Sequence, residues 1–482
     1  MTTEQQLPKG WKIERLGDVL QIQNGYAFKS IEFIKENPEN IHIPLIRQSQ
    51  LVGKVVDVSN CVFLNRKYLI DKKNYIVNKG DILIGMSGSI GKVSFYEEDY
   101  PALLNQRVGK LNLYDNDTFQ KDFFAYLLIS LESSIIQIAK GMGVQNISSK
   151  DIEQLKIPIP PLETQQAIVN KIESLFDEID EGIGRLKTAA QQIQQYRQSL
   201  LKNAFNGELT KEWRSKHADT LPSENELLAQ IQTTREQHHA QQLAEWQTAV
   251  SQWEQNGKEG KKPSKPKAPT QAVKFEENFA DLPNGWGMVK LENLASEYVL
   301  GKMLDKNKNK GKERLYLGNI NVRWGYFEFS NAKTMKIEDD EIERYSVKYG
   351  DLIICEGGEP GRCAVWKHEA EMFIQKALHR VRFPSYYSAD FAFYYLSYAV
   401  KLPLVTDLLT GTTIKHLTGT ALKNIPFPVC SISEQTQIVA ILETKLTACD
   451  QLAAELAKQL KQAELLKQAV LKAAFSGSLL DK

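Results

Sequence analysis

The sequence predicts an α+β protein built from two mixed α/β globules, each followed by one long helix, so that the chain is a pseudo-two-fold repeat. Three observations carry this. Gly80-Asp81-Ile82-Leu83-Ile84 returns 270 residues later as Gly350-Asp351-Leu352-Ile353-Ile354. At that same offset Pro158 falls on Pro428, Gln165-x-x-Ile168-Val169 on Gln435-x-x-Ile438-Val439, and Ala204-Phe205-x-Gly207-x-Leu209 on Ala474-Phe475-x-Gly477-x-Leu479. Each copy also opens on Leu-Pro-x-Gly-Trp, at Leu7 to Trp11 and Leu282 to Trp286, five residues out of that register. One offset with several anchors is the mark of an internal repeat, and two copies suit a partner with a dyad of its own, duplex DNA first among them.

Residues 1–161 read as the first globule. Short β-branched runs (Tyr75-Ile76-Val77, Ile82 to Ile84, Val93 to Phe95) alternate with Gly, Asn and Asp, and a more helical stretch runs from Phe119 to Ile138. Ile157-Pro158-Ile159-Pro160-Pro161 is expected to stop regular structure, because each proline removes a donor and restricts its predecessor. Residues 162–209 are the first long helix, with apolar residues at Ile168, Ile172, Leu175, Ile179, Ile183, Leu186, Ala190, Ile193, Tyr196, Leu200 and Ala204. Steps of three and four sustained so long are a coiled-coil pattern. Gly207 is the expected C-terminal stop.

Residues 210–281 have no counterpart in the second copy. Pro222-Ser223-x-x-Glu226 is a capping-box start to a Gln-rich helix whose stripe is Leu227, Ile231, Leu243, Trp246, Val250 and Trp253. Asn256 to Gln271, rich in Gly, Lys and Pro, reads as a flexible linker. Residues 282–431 are the second globule and residues 432–482 the second long helix, striped by Ile438, Leu442, Leu446, Cys449, Leu452, Leu456, Leu460, Ala463, Leu466, Val470 and Ala474.

A chain of 482 residues allows two or three cores. Its formal net charge is +1, so it carries no general basic footprint, and the one dense basic cluster is Lys302 to Arg314. Five scattered cysteines without a C-x-x-C pair suit reduced thiols and a cytoplasmic location. No signal peptide is evident, no apolar run approaches a membrane span, and the chain is expected to be soluble, with no membrane partner.

A search for catalysis ends empty. Gly85 to Val93 resembles a phosphate loop only loosely, since Met86 occupies a required glycine position and Val93 the magnesium-binding hydroxyl position; a tight turn between strands is the better reading there and at Gly357 to Arg362. Asp57 with Asp71-Lys72-Lys73 has the loose spacing of a metal nuclease but no counterpart in the second copy. The seven histidines show no metal spacing. No catalytic or metal residue is expected.

Taken together, the two Leu-Pro-x-Gly-Trp starts, Asn24-Gly25-Tyr26-Ala27-Phe28-Lys29, the Gly-Asp-Ile-Leu-Ile repeat, Pro158-Ile159-Pro160-Pro161-Leu162 before Thr164-Gln165-x-x-Ile168-Val169, and Ala-Phe-x-Gly-x-Leu at each helix end resemble the specificity subunit of Type I restriction–modification enzymes. The resemblance spans essentially the whole chain. It implies two target recognition domains, each reading half of a bipartite sequence in double-stranded DNA, and two helices forming an antiparallel coiled-coil spacer that sets the gap. It implies two methyltransferase subunits docked on those helices, using S-adenosylmethionine to methylate adenine, and two ATP- and Mg-dependent restriction subunits. This chain itself would hold no cofactor. Two departures stand out: Pro428-Val429-Cys430-Ser431-Ile432 replaces Pro-x-Pro-Pro-Leu, implying a less rigid second junction, and Thr164 stands where the second copy has Glu434.

Base readout needs side chains that pair donors with acceptors, and lysines serve phosphates. Candidates in Gly-punctuated loops are Lys29, Arg47, Gln48, Ser87, Ser89, Lys92, Gln106 and Arg107 in the first globule, with Asn105 there read as structural. In the second they are Lys308, Lys310, Arg314, Asn319, Asn321, Arg323, Arg362, Lys376, His379 and Arg380. Gly141 to Ser148 and Gly411 to Thr418 match in register and read as structural turns. Outward helix positions Arg185, Lys187, Arg197, Lys458, Lys461 and Lys467 are candidates for partner-subunit contact. The alternatives are a coiled-coil scaffold with two protein-binding globules, or a self-contained DNA methyltransferase or nuclease with a diverged site.

Overall fold

The computed structural model describes residues 7–37, 41–115, 117–141, 146–260, 262–272, 282–305, 309–411 and 415–480. The chain divides into unit 1, Met1–Ala189 with Glu455–Lys482, and unit 2, Ala190–Ala454. Two long helices, α2 (Leu162–Phe205) and α6 (Ile432–Ser476), supply residues to both.

Unit 1 contains β1 (Lys12–Arg15), β2 (Leu20–Asn24), β3 (Ile43–Ile46), β4 (Val62–Leu64), β5 (Ile76–Val77), β6 (Ile82–Gly85), β7 (Val93–Phe95), β8 (Ala102–Leu104), β9 (Val108–Leu113), α1 (Lys121–Gly141) and β10 (Lys156–Ile159). One sheet has the order β2-β9-β6-β7 and the other β4-β3-β8-β5, in which β3 and β8 are parallel. Alternate residues Leu20 and Ile22 of β2, with Ile84, Val93 and Leu111, turn inward to meet Phe123, Phe124, Leu127, Leu128 and Leu131 of α1. Gln120 caps that helix, its Oε1 accepting from Phe123 N at 2.6 Å. The Lys121–Lys140 stretch is long and apolar enough to cross a membrane by length and composition, which corrects the sequence reading, but those apolar side chains are the core of unit 1.

Unit 2 repeats the plan with α3 (Lys211–Lys216), α4 (Glu224–Gln255), β11 (Gly287–Lys290), β12 (Glu297–Leu300), β13 (Lys312–Leu317), β14 (Lys333–Ile337), β15 (Leu352–Cys355), β16 (Cys363–Val365), β17 (Phe373–Ile374), β18 (Leu378–Arg382), α5 (Ala389–Ala399) and β19 (Pro426–Val429). Its sheets run β12-β18-β15-β16 and β14-β13-β17. The capping box is present: Ser223 Oγ accepts from Glu226 N and Glu226 Oε2 accepts from Ser223 N.

The prolines do not end regular structure. β10 pairs antiparallel with β1, Pro158 opposite Ile13, and β19 pairs with β11, Pro428 opposite Met288. Each is one strand of a two-stranded ribbon, where a missing N–H breaks no continuing ladder. The second junction is held rather than loose, since Ser431 Oγ accepts from Glu434 N and Cys430 O accepts from Gln435 Nε2.

The glycine stops are real. Gly207 and Gly477 have φ of +80° and +83°, and a Cβ on either would strike Pro283 or Pro8 respectively. Each helix end therefore packs against the Leu-Pro-x-Gly-Trp start of the other copy, which explains both motifs.

Within each unit α2 and α6 run antiparallel. In unit 1 Thr164 and Ile168 meet Ala474 and Leu479, while Asp180 pairs with Lys467 Nζ at 2.5 Å. In unit 2 Thr210 Oγ1 donates to Glu434 Oε1 and Arg197 pairs with Asp450. Tyr196, Leu452 and Leu466, expected in the apolar seam, are instead exposed.

The Lys- and Pro-rich segment is also no free linker. It doubles back along α4, with Trp253 Nε1 donating to Gly260 O at 3.3 Å, Trp246 Nε1 to Pro263 O at 3.0 Å and Arg235 Nη1 to Thr270 O at 2.5 Å. The Lys262 and Lys265 amines lie over the rings of Trp253 and Trp246.

Candidate nucleic-acid interface

In each unit the loops that leave one end of the sheets are knotted together by main-chain hydrogen bonds, and the scheme is the same in both. In unit 1 the strand β2 is followed by Gly25, whose Cβ would stand 2.1 Å from Asn105 O, so only glycine fits. Tyr26 N donates to Leu104 O and Gln106 N to Tyr26 O. Asn105 N donates to Ile46 O, Met86 N to Arg107 O, and Ile147 N to Met86 O.

In unit 2 Gly301 takes the place of Gly25, its Cβ position 2.4 Å from Gln375 C. Lys302 N donates to Ile374 O, Lys376 N to Lys302 O and Gln375 N to Leu317 O. Glu356 N donates to Ala377 O and Leu417 N to Glu356 O. The second halves of the two matched turns, ending at Ser148 and Thr418, thus close against the β6–β7 and β15–β16 turns. Residues 142–145 and 412–414 of those turns lie outside the described residues.

This scaffold brings together Gln48, Ser87, Ser89, Gln106 and Arg107. Ser89 Oγ donates to Gln48 O at 2.7 Å, and Ser89 N to Ser87 O at 2.7 Å. Gly88, with φ of +67°, lies against the Gln48 amide. Gln106, Arg107, Lys29 and Lys92 are exposed, Arg47 and Gln48 half-buried, and Ser87 buried. Arg47 Nε and Gln48 Oε1 are sealed from solvent without a hydrogen-bond partner.

The unit 2 cluster gathers Asn319, Arg362 and Lys376. Asn319 Nδ2 donates to Gly357 O at 3.0 Å, Arg362 Nη2 to Asn319 O at 2.9 Å, and Arg362 Nη1 to Glu359 Oε2 at 2.9 Å. Trp324 Nε1 donates to Glu359 Oε1 at 2.7 Å, a contact that no local sequence pattern marks. Asn319 Oδ1, Glu356 Oε2 and Arg362 Nε are again sealed and unpartnered. Lys376 is exposed, Lys310 is exposed on the approach to β13, and Arg323 is half-buried in a short hairpin; Lys308 lies outside the described residues.

Several candidates are spent inside the fold. His379 is fully buried, with Nδ1 2.6 Å from Tyr298 Oη and Nε2 3.2 Å from Leu417 O, and burial pushes its imidazole down to about 4. Arg380 is also buried, its Nη2 donating to Glu297 Oε2 at 2.6 Å. Both lie on β18, a strand with neighbours on either side and both faces covered, so consecutive positions are interior. Asn321 is a structural cap: its Oδ1 accepts from Gly318 N and its Nδ2 donates to Glu328 O, both at 2.9 Å. Arg314 is held by two 2.9 Å bonds to Glu371. The basic Lys302 to Arg314 cluster is further reduced, because Lys302 is buried between Glu338 and Glu341.

Among the helix positions, Arg197 and Lys467 bridge α2 and α6 and so are not outward faces. Arg185, Lys187, Lys458 and Lys461 are exposed, Arg185 near Glu181 and Lys458 near Glu455.

One further pair stands outside the candidates drawn from the sequence. Gln165 and Gln435, in the first turns of α2 and α6, are buried and make equivalent contacts. Gln435 Oε1 accepts from Ser388 N at 2.8 Å, and its Nε2 donates to Cys430 O at 2.8 Å and Tyr386 O at 3.2 Å. Gln165 Oε1 accepts from Gln120 N at 2.8 Å, and its Nε2 donates to Pro160 O and Thr118 O. Ser388 and Gln120 are the capping residues of α5 and α1, so each glutamine ties a long helix to the main helix of its globule. Their 270-residue spacing was the available signal.

Comparison with known proteins agrees with this duplication. The family described as Type I restriction modification DNA specificity domain matches twice, at residues 8–187 and 283–462. The EcoBI Type I restriction enzyme specificity subunit of Escherichia coli is 24% identical over 477 residues, covering 97% of this chain and 86% of its own. Among solved structures, a chain of a type I R-M system studied for complex assembly and conformational transition superposes with a TM-score of 0.65 at 17% identity, covering 98% of this chain and 100% of its own. The HsdS subunit from Thermoanaerobacter tengcongensis gives 0.52 at 17% identity, with 99% of both chains covered.

Proposed function

The chain belongs to the specificity-subunit family of Type I restriction–modification enzymes, and on that premise we propose that it reads a bipartite DNA target without doing chemistry itself. Each loop cluster takes one half of the target, and the length of the helices between globules sets the gap. Methylation of adenine with S-adenosylmethionine, and ATP- and Mg-dependent cleavage, belong to two methyltransferase and two restriction subunits that this chain brings to the site.

The observation that carries the reading is the recurrence, in both units, of the same main-chain loop scaffold presenting polar side chains to solvent: Gln106 and Arg107 in one, Asn319, Arg362 and Lys376 in the other. Exposed Gln106 and Arg107 suit adenine and guanine, while Lys29, Lys92, Lys310 and Lys376 suit phosphates. With a net charge of +1, little binding comes from the overall field.

The test is to map methylated adenines in cells carrying the complete system, then exchange residues 12–155 for those of another family member. One half of the methylated motif changes and the other stays. A further four residues in α2 changes only the gap. An exchange that alters both halves, or a deletion that removes no motif while partner subunits are intact, refutes the reading.

A further inference from the structure

The two units differ at the ribbon strand that opens each globule. In unit 2 the ribbon strand β11 is covered: Trp286 and Met288 are each only 4% exposed, and they share a core with Leu227 and Ile231 of α4. The first turn of α4, carrying Glu224 and Glu226, lies on β11, since a Cβ on Gly287 would come within 2.9 Å of Glu224 Oε1. Below it, the Trp286 indole donates to Glu434 Oε2 at 2.9 Å, and the Arg214 guanidinium of α3 lies 5.6 Å over the ring.

The matching strand of unit 1 has no such cover among the described residues. Lys12 and Ile13 of β1 are exposed, Ile13 by 60% where Met288 is 4%. Beside it Leu480 is exposed, and Pro8, Trp11, Thr164, Ile168 and Leu479 line a cavity of about 190 Å³. Thr164 provides no carboxylate to the Trp11 indole, which has no hydrogen-bond partner among the described residues. The rim is basic: Lys9, Lys12, Arg15 and Lys156 are exposed and form no ion pair among the described residues, against Glu14 and Glu163.

We propose that this ledge of unit 1 is a docking surface for an amphipathic helix of a partner subunit, bearing aliphatic residues four apart and an acidic first turn. The chemistry is read from unit 2, where Leu227, Ile231, Glu224 and Glu226 of α4 occupy the equivalent face. Apolar residues at that spacing share one helix face and cover Ile13, while the acidic turn meets Lys9, Lys12 and Arg15. A second copy of this chain is a poor occupant, because its own α4 has Leu227 and Ile231 buried in unit 2. The identification of the occupant as a partner subunit rests on the function proposed above.

The experiment uses the full complex with its partner subunits, after it has been shown to methylate a split target, so that failure of that function is seen separately. A photo-crosslinking amino acid is placed at Ile13 and, in a second protein, at the buried Met288. The Ile13 probe is expected to capture a helix of a partner subunit with an acidic first turn, and the Met288 probe to capture α4 of its own chain. Alongside, Lys12→Glu with Ile13→Asp is expected to weaken partner assembly at least tenfold with the melting temperature and DNA binding of the free chain unchanged, since both side chains are exposed. Crosslinks from Ile13 only to this chain, to DNA, to a second copy or to nothing overturn the proposal, as does undiminished assembly of the double variant.

Discussion

Replacing Gln435 by alanine removes three hydrogen bonds from a site with no exposure. Each is worth about 1 kcal/mol net, and the half-buried Ser388 N–H left without an acceptor adds about 1 kcal/mol more, giving a loss of about 4 kcal/mol for unit 2. That is roughly a thousandfold in the folded-to-unfolded ratio and, for a unit of this size, about 10 °C in melting temperature. Gln435→Glu should cost more, because the carboxylate still accepts from Ser388 but turns a charge toward the carbonyls of Cys430 and Tyr386. Denaturant unfolding gives the free energy, and amide exchange at the start of α5 locates the damage: protection falls at residues 389–392 while α1 in unit 1 is unaffected. An alanine variant within about 1 kcal/mol of the parent, or a glutamate variant as stable as the parent, refutes the claim that this side chain holds helix to globule.

Further outcomes follow from other parts of the molecule. His379 titrates at about 4 in the fold against 6.5 when free, so the unfolded chain takes the proton first. The stability is complete above about pH 6.5 and is lost as pH falls toward 4, by about 3 kcal/mol, and His379→Gln should flatten that part of the pH–stability curve. Glu434→Gln leaves the Arg214 guanidinium without its anion in a buried cluster with Thr210 and Trp286, and should cost unit 2 about 3 kcal/mol, measured by the same unfolding assay. Arg107→Ala should lower affinity for the methylated motif by about 1–3 kcal/mol and relax one base position in competition binding. Lys376→Ala should weaken all sequences alike and reduce the salt slope by about 1.

How far the residues alone reveal this molecule depends on the range of the interactions involved. The repeat, the two long helices, the Ser223 capping box and the Gly207 and Gly477 stops are set by neighbours within a few positions, and each was visible as a spacing or a residue type. What was not visible comes from contacts distant in sequence. His379 and Arg380 are polar residues in a short strand, and only the placement of β18 between β12 and β15 makes both positions interior. The prolines of β10 look like breakers until β1, more than a hundred residues earlier, supplies a partner. The Lys-Pro segment has the composition of a free chain, but two indole N–H groups and two ring faces on α4 fasten it. Arg197 and Lys467 look like solvated flank positions because helical spacing does not show an acid on the other helix. The loop candidates were half legible: Gly punctuation located the cluster, while Trp324 reached it from a hairpin that no local pattern marked.

The side-chain hydrogen bonds of both first-turn glutamines all go to main-chain atoms: Ser388 N, Tyr386 O and Cys430 O for one, Gln120 N, Thr118 O and Pro160 O for the other. A grip of that kind is indifferent to which side chains the globule carries. Substitutions at those positions leave the glutamine bonds intact, whereas the ring contacts of Phe123 with Phe475 and of Phe391 with Phe205 tie globule and long helix through particular side chains. The same chemistry that fastens the helix leaves those few positions free to drift.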